Sequence, residues 1–158
     1  MKWYWVIAGA LLLVSAVLHV SGVVRFDTTK HWTAWVVVGL VLLNGGWMAF
    51  DGGRALIVGD YVTPKTGLLA GTLGPWSEIV EAAGIDPRSG LMKSAFLVYG
   101  LAYLVATAAL VLGASAAWWS VLVLAVLGLW YIPFGTLINI IVIILLLLPP
   151  LRPSIMRG

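Results

Sequence analysis

Few residues in this chain have side chains that could do chemistry. Among 158 residues there is no cysteine and there are two histidines, His19 and His31. Without cysteine there are no disulfides, thiolate metal ligands, iron–sulfur clusters or cysteine nucleophile. A haem b held by two histidines would need both imidazoles at one depth, facing each other. His19 lies five residues inside the end of the first apolar run and His31 at the very start of the second. At 1.5 Å per residue their depths differ by about 7 Å, which speaks against haem, and no metal site is expected. His19 shares a helix face with Ser15 and Gly22, a small and polar stripe suited to close helix packing and an interhelical hydrogen bond.

The remaining candidates are aromatic or amide side chains. Tyr99 and Tyr103 form an i, i+4 pair, and Trp130 and Tyr131 stand beside the irregular stretch Gly128, Pro133, Gly135, Thr136 and Asn139. These residues could line an aromatic cavity for a quinone, lipid or another apolar ligand, since such sites are mostly apolar with a few polar groups, and His19 is a further candidate cofactor-binding residue. Packing is the competing account, because amides such as Asn44 and Asn139 commonly cross-link helices in lipid. Glu78 and Glu81 share one side of a short helix, a spacing typical of a solvated acidic face. No nucleophile elbow, zinc motif, phosphate loop or dinucleotide fingerprint is present. The expectation is a protein that is not an enzyme and carries no resident cofactor.

The elements that must position these residues are apolar. Residues of apolar type make up 62% of the chain and charged residues 9%, against roughly 25% charged in a soluble domain. Four runs approach or exceed the roughly 20 residues that cross a hydrocarbon core. They cover about 3–24, 31–50, 94–112 and 118–148. The first is too long for the apolar part of a signal peptide. The second is closed by Asp51-Gly52-Gly53, where glycine can cap a helix. The fourth, at 31 residues, would make a helix of about 46 Å. A kink at Pro133 is the favoured device for absorbing that excess, with a re-entrant pair of half-helices as the alternative. The expected fold is therefore an all-α integral membrane protein. Its single domain, 1–158, is a bundle of four transmembrane helices with a long, kinked fourth helix.

Seven Lys and Arg residues, Lys2, Arg54, Lys65, Arg88, Lys93, Arg152 and Arg157, fall on one side of such a bundle, against Arg25 and Lys30 on the other. That bias predicts both termini and the 51–90 loop in the cytoplasm of a prokaryotic plasma membrane. The scattered basic residues make no stripe for nucleic acid. Within the loop, Leu56-Ile57-Val58 and Tyr61-Val62-Thr63 flank Gly59-Asp60, which suits a small hairpin. A short amphipathic helix is expected from about Pro75 to just before Gly84. Trp76, Ile79, Val80 and Ala83 form its apolar stripe, predicted to cover the stretch near Ile143 to Leu148. Trp76, Glu78, Ile79 and Glu81 are its candidate partner-binding residues.

The strings Arg54-Ala55-Leu56-Ile57-Val58-Gly59-Asp60-Tyr61-Val62-Thr63-Pro64, Leu73-Gly74-Pro75-Trp76 and Trp130-Tyr131-Ile132-Pro133-Phe134-Gly135-Thr136 resemble those of small uncharacterised prokaryotic four-helix membrane proteins. The general plan is also similar to DoxX/DoxD-like proteins. The resemblance implies an architecture and carries over no functional residue. A small core and an acidic-faced loop favour a non-catalytic accessory or assembly subunit of a larger membrane complex. Its partners would be membrane lipids and other subunits or further copies of itself. An oligomeric transporter or channel, or a quinone- or haem-associated redox partner, are the alternative expectations.

Overall fold

A computed structural model describes residues 32–148 apart from 115. The predicted 3–24 span, with His19, lies outside the described residues, as does His31. The described chain is all-helical, with five α-helices and no strand. They are α1 (Trp32–Val58), α2 (Trp76–Ala82), α3 (Gly90–Val111), α4 (Ala117–Leu127) and α5 (Phe134–Leu147). α1 and α3 are long and apolar enough to cross a membrane, with 27 and 22 residues.

α1 and α3 run antiparallel in backbone contact, and glycine makes that possible. Ala34 and Trp35 lie beside Leu110 and Val111 at one end, and Gly52 meets Phe96 and Lys93 near the other. A methyl on Gly52 would stand 2.7 Å from the Phe96 Cβ and 2.9 Å from the Lys93 carbonyl oxygen. One on Gly100 would run into the backbone of Ala49. This seam explains why α1 does not stop at Asp51-Gly52-Gly53, as the sequence suggests. Glycine in a helix interior costs about 1 kcal/mol relative to alanine. Small residues also let two backbones approach, and here that gain prevails.

The extension of α1 to Val58 removes the expected hairpin. Leu56, Ile57 and Val58 form the last helical turn, so the first predicted strand does not exist. Beyond them, three cations tie the loop down. Lys93 Nζ donates to the Gly59 carbonyl at 2.6 Å, Arg54 to that of Asp60 at 2.8 Å, and Arg88 to that of Gly71 at 2.7 Å. Arg88 also pairs with the Asp60 carboxylate at 3.0 Å. Cationic groups at the C-terminal end of a helix meet its exposed carbonyls and the negative end of its dipole.

α2 keeps its predicted limits, following Pro75 and ending in a Schellman motif at Gly84. The Ile85 N–H donates to the Val80 carbonyl at 3.1 Å and the Gly84 N–H to that of Glu81 at 2.8 Å. Gly84 takes φ +79°, a conformation open to glycine at little cost. α3 starts earlier than the apolar run implies, because Ser89 accepts from the Met92 N–H and caps it.

The fourth apolar run is not one kinked helix. It is a helical hairpin, α4 and α5, turning through a 3-10 segment, Gly128–Trp130, and the cis peptide Ile132–Pro133. Trp118 Nε1 near the start of α4 donates to the Leu146 carbonyl near the end of α5 at 3.2 Å. Thr136 Oγ1 donates to the Leu129 carbonyl at 2.7 Å, satisfying a group the turn frees from the helix ladder. Proline lacks the N–H a continuing helix needs. Gly128 leaves room where Tyr99 and Asn139 cross it.

The hairpin lies against α1 and α3 around a core of Val37, Val41, Tyr103, Ala106, Val121, Ala125 and Val142. The reversal returns Leu148 to the end of the bundle at which α1 begins, opposite the loop. The four-span reading had put the C-terminal tail on the loop's side. The stretch near Ile143 to Leu148 is therefore far from α2, which covers the tip of the hairpin instead.

Candidate functional site

The polar groups of the bundle interior gather on Asn139. Its Oδ1 accepts from the Asn44 amide at 3.3 Å and from the Tyr103 hydroxyl at 3.1 Å. Tyr99 stands edge-on to Tyr103, with ring centroids 5.7 Å apart, and donates to the Leu124 carbonyl at 2.7 Å. Tyr103 and Asn139 are fully buried. These side chains join α1, α3, α4 and α5. The i, i+4 tyrosines and the amides thus lie together, as a cross-link between helices.

Toward the loop the interior becomes aromatic. Phe96 touches Tyr61, Trp76, Trp130 and Tyr131, with centroid distances of 5.1, 4.8, 5.5 and 5.4 Å. Tilted and edge-to-face arrangements predominate, as ring quadrupoles prefer. Trp76 and Val80 of α2 are buried in this cluster, whereas Ile79 and Ala83 stay exposed. The predicted stripe is therefore half used. Glu78 and Glu81 face outward, in keeping with a solvated face.

Beside the cluster lies a cavity of about 560 Å³. Leu43, Asn44, Trp47 and Asp51 of α1 form one wall, Tyr61, Val62 and residues 73–76 a second, and residues 131–134 with Ile138 the third. That volume falls within the roughly 300–1,000 Å³ of small-molecule sites. Trp47 Nε1 donates to the Tyr131 hydroxyl at 3.1 Å and joins two of these walls.

Two polar groups at the cavity carry unspent capacity. Asp51 is 5% exposed, and one carboxylate oxygen accepts from the Val62 N–H at 2.7 Å. No Lys or Arg among the described residues pairs with it; the one ion pair there is Arg88 with Asp60. The Tyr61 hydroxyl is buried without a hydrogen-bond partner among the described residues. Burial, reinforced by the nearby Asp51 and Asp60 carboxylates, holds that hydroxyl well above the usual phenol range, so it stays a donor.

Of the residues singled out from sequence, Tyr131 and Trp76 line the cavity, Trp130 backs it through the aromatic cluster, and Tyr99, Tyr103 and Asn139 do not reach it. Trp47, Asp51 and Tyr61 escaped attention. Asp51 resembled a helix stop, yet an acid at the boundary of an apolar run can equally line a cavity. Among the described residues no group of three His, Cys, Asp or Glu side chains could hold a metal ion. Comparison with known proteins returns no matching family model, no matching curated protein and no matching solved structure.

Proposed function

We propose that this chain is a non-catalytic integral membrane protein that binds a small amphipathic molecule where its helices meet the loop. The observation that carries the reading is the three-walled cavity, apolar over most of its lining and polar at Asn44, Asp51 and Tyr61. Sites of this composition receive an apolar body and orient it through a few polar contacts. Native mass spectrometry from lipid nanodiscs, with the ligand extracted and identified, tests it. The expected result is one small molecule per chain, lost when Leu73→Trp fills the cavity. Protein that stays empty and shows no saturable binding to a panel of amphipathic compounds would sink the reading.

In this proposal α1 and α3 cross the membrane together with the 3–24 segment. α4 and α5, of 11 and 14 residues, span about 17 and 21 Å, less than a hydrocarbon core of about 30 Å. They form a hairpin entering from the side opposite the loop. The charge bias then narrows, since Arg152 and Arg157 join Arg25 and Lys30 across from the loop. The loop keeps Lys2, Arg54, Lys65, Arg88 and Lys93 on its side, and we retain the cytoplasm for it on that five-to-four count. Single cysteines at Glu81 and Arg157, probed with an impermeant thiol reagent, should label from opposite sides. Labelling from the same side would return the four-span topology.

A second reading, an accessory subunit of a larger complex, is favoured by Leu68 and Leu69. Both are exposed at the tip of the loop, Leu68 completely, with Ile57 and Val58 exposed at the end of α1. Exposed apolar patches mark contact surfaces. Co-purification in mild detergent from native membranes, with Leu68→Asp and Leu69→Asp as controls, tests this reading. A partner retained equally by the variants would detach it from these leucines.

A further inference from the structure

We propose that the molecule received by the cavity is a compact organic cation, held by the Asp51 carboxylate and the rings of Trp47, Trp76 and Tyr131. The inference rests on the ligand-binding reading above and names the chemical class of that ligand.

The first ground is an unbalanced charge. A buried carboxylate is costly unless it is paired or fully hydrogen-bonded. Asp51 is 5% exposed and, among the described residues, receives a single hydrogen bond, from the Val62 N–H. The cations nearest in sequence and space are committed elsewhere. Arg54 donates to the Asp60 carbonyl, Arg88 to the Asp60 carboxylate and the Gly71 carbonyl, and Lys93 to the Gly59 carbonyl. Each ties down the loop and none forms an ion pair with Asp51; Arg54, one turn further along α1, acts on the carboxylate only through space. The carboxylate is thus left facing a cavity wide enough for a small ligand.

The second ground is independent of charge. Trp47, Trp76 and Tyr131 line the same cavity, as do the aromatic residues Tyr61 and Phe134. Contacts among the rings fix their positions, with Trp76 to Tyr131 at 6.2 Å and Tyr61 to Trp76 at 5.5 Å. The negative faces of aromatic rings attract cations, most strongly where water is excluded, and quaternary ammonium groups are recognised this way. Rings also tolerate apolar substituents on the cation. The cavity closes at one side on the hairpin tip, Ile132, Pro133 and Phe134, whose apolar side chains suit a hydrocarbon arm rather than a second charge.

The test compares benzyltrimethylammonium with neopentylbenzene, its neutral isostere of the same shape. Binding of each to the purified full chain in nanodiscs is measured by displacement of solvent protection at the cavity and by calorimetry. The cation is expected to bind about tenfold more tightly than the isostere, a difference of about 1.4 kcal/mol. In Asp51→Asn the preference should fall to about twofold or less. Asparagine still offers an oxygen to the Val62 N–H, so the fold is kept. Trp47→Leu should weaken the cation more than the isostere while leaving Asp51 in place. Equal binding of the two probes would overturn the cation assignment and leave the ligand-binding reading standing. Binding of neither probe, with no endogenous ligand recovered, would remove both. A preference that survives Asp51→Asn would also overturn the assignment.

Discussion

The seam between α1 and α3 and the aromatic end of the bundle solve the same problem in opposite ways. At the seam the side chains vanish: Gly45, Gly52 and Gly100 let two backbones touch, and nothing more can be inserted. At the loop end the side chains are the largest available, and rings packed at angles leave about 560 Å³ unfilled beside them. Backbone contact gives a rigid spine with a single register. Ring packing gives a wall whose gaps are a matter of shape. A cavity is therefore expected beside the rings and not along the spine.

The sharpest way to break that contrast is at Gly100. Gly100→Leu should cost about 3 kcal/mol or more, because the new side chain meets the Ala49 backbone and cannot be accommodated by rotamer changes. Reversible unfolding in mixed micelles measures it. Gly46, also in α1, has nothing within 4 Å of where a methyl would stand. Gly46→Ala should therefore be neutral or stabilising by up to about 1 kcal/mol. If both glycines respond alike, the seam is not what brings the helices together.

Phe96→Ala is expected to cost about 3 kcal/mol, since the ring is fully buried and touches four others. The same unfolding measurement should show this loss together with an enlarged cavity and looser ligand discrimination. Asn139→Leu should cost about 1–2 kcal/mol, as the Asn44 amide and Tyr103 hydroxyl lose their shared acceptor. Ligand binding should change little, because Asn139 does not line the cavity.

The smallest effect belongs to the loop clamp. Burial raises the Asp60 carboxyl, but the Tyr61 N–H and Arg88 outweigh it and hold the group below its ordinary value of 3.8. A carboxylate with a depressed folded-state value stabilises the fold above its unfolded value and loses that contribution as pH falls through the folded one. The window therefore lies below pH 3.8. Because both partners are nearly half exposed, Asp60→Asn should remove under about 1 kcal/mol and flatten the acid limb of the stability curve.

What could be read from the sequence depended on whether a residue type had one use or two. Pro75 and Gly84 bound α2 because an N-terminal proline and a C-terminal glycine have narrow meanings in a seven-residue helix. Gly113, at φ +81°, ended α3 for the same reason. Gly52 has two uses, cap and contact, and local sequence cannot choose between them. The choice is made by Phe96 and Leu97, more than 40 residues away. The run at 118–148 posed a similar ambiguity. Its length exceeded one span, and both a kink and a reversal would absorb the excess. The reversal needed acceptors and donors for the freed backbone, and Thr136 supplies one of them. Of the site, the aromatic residues near Pro133 stood out, but Asp51 did not, since it lines a cavity only after the loop folds over it.

The hairpin of α4 and α5 has a further consequence for how this bundle can be handled genetically. Because Leu148 returns to the end where Trp32 starts, the segment between them enters and leaves at one face. Under the proposed topology it can be inserted into a host membrane protein, or repeated in tandem through a short linker, without inverting whatever follows. Three full crossings between the same two points would leave them at opposite ends, and joining the segment to itself would need a linker running the height of the bundle.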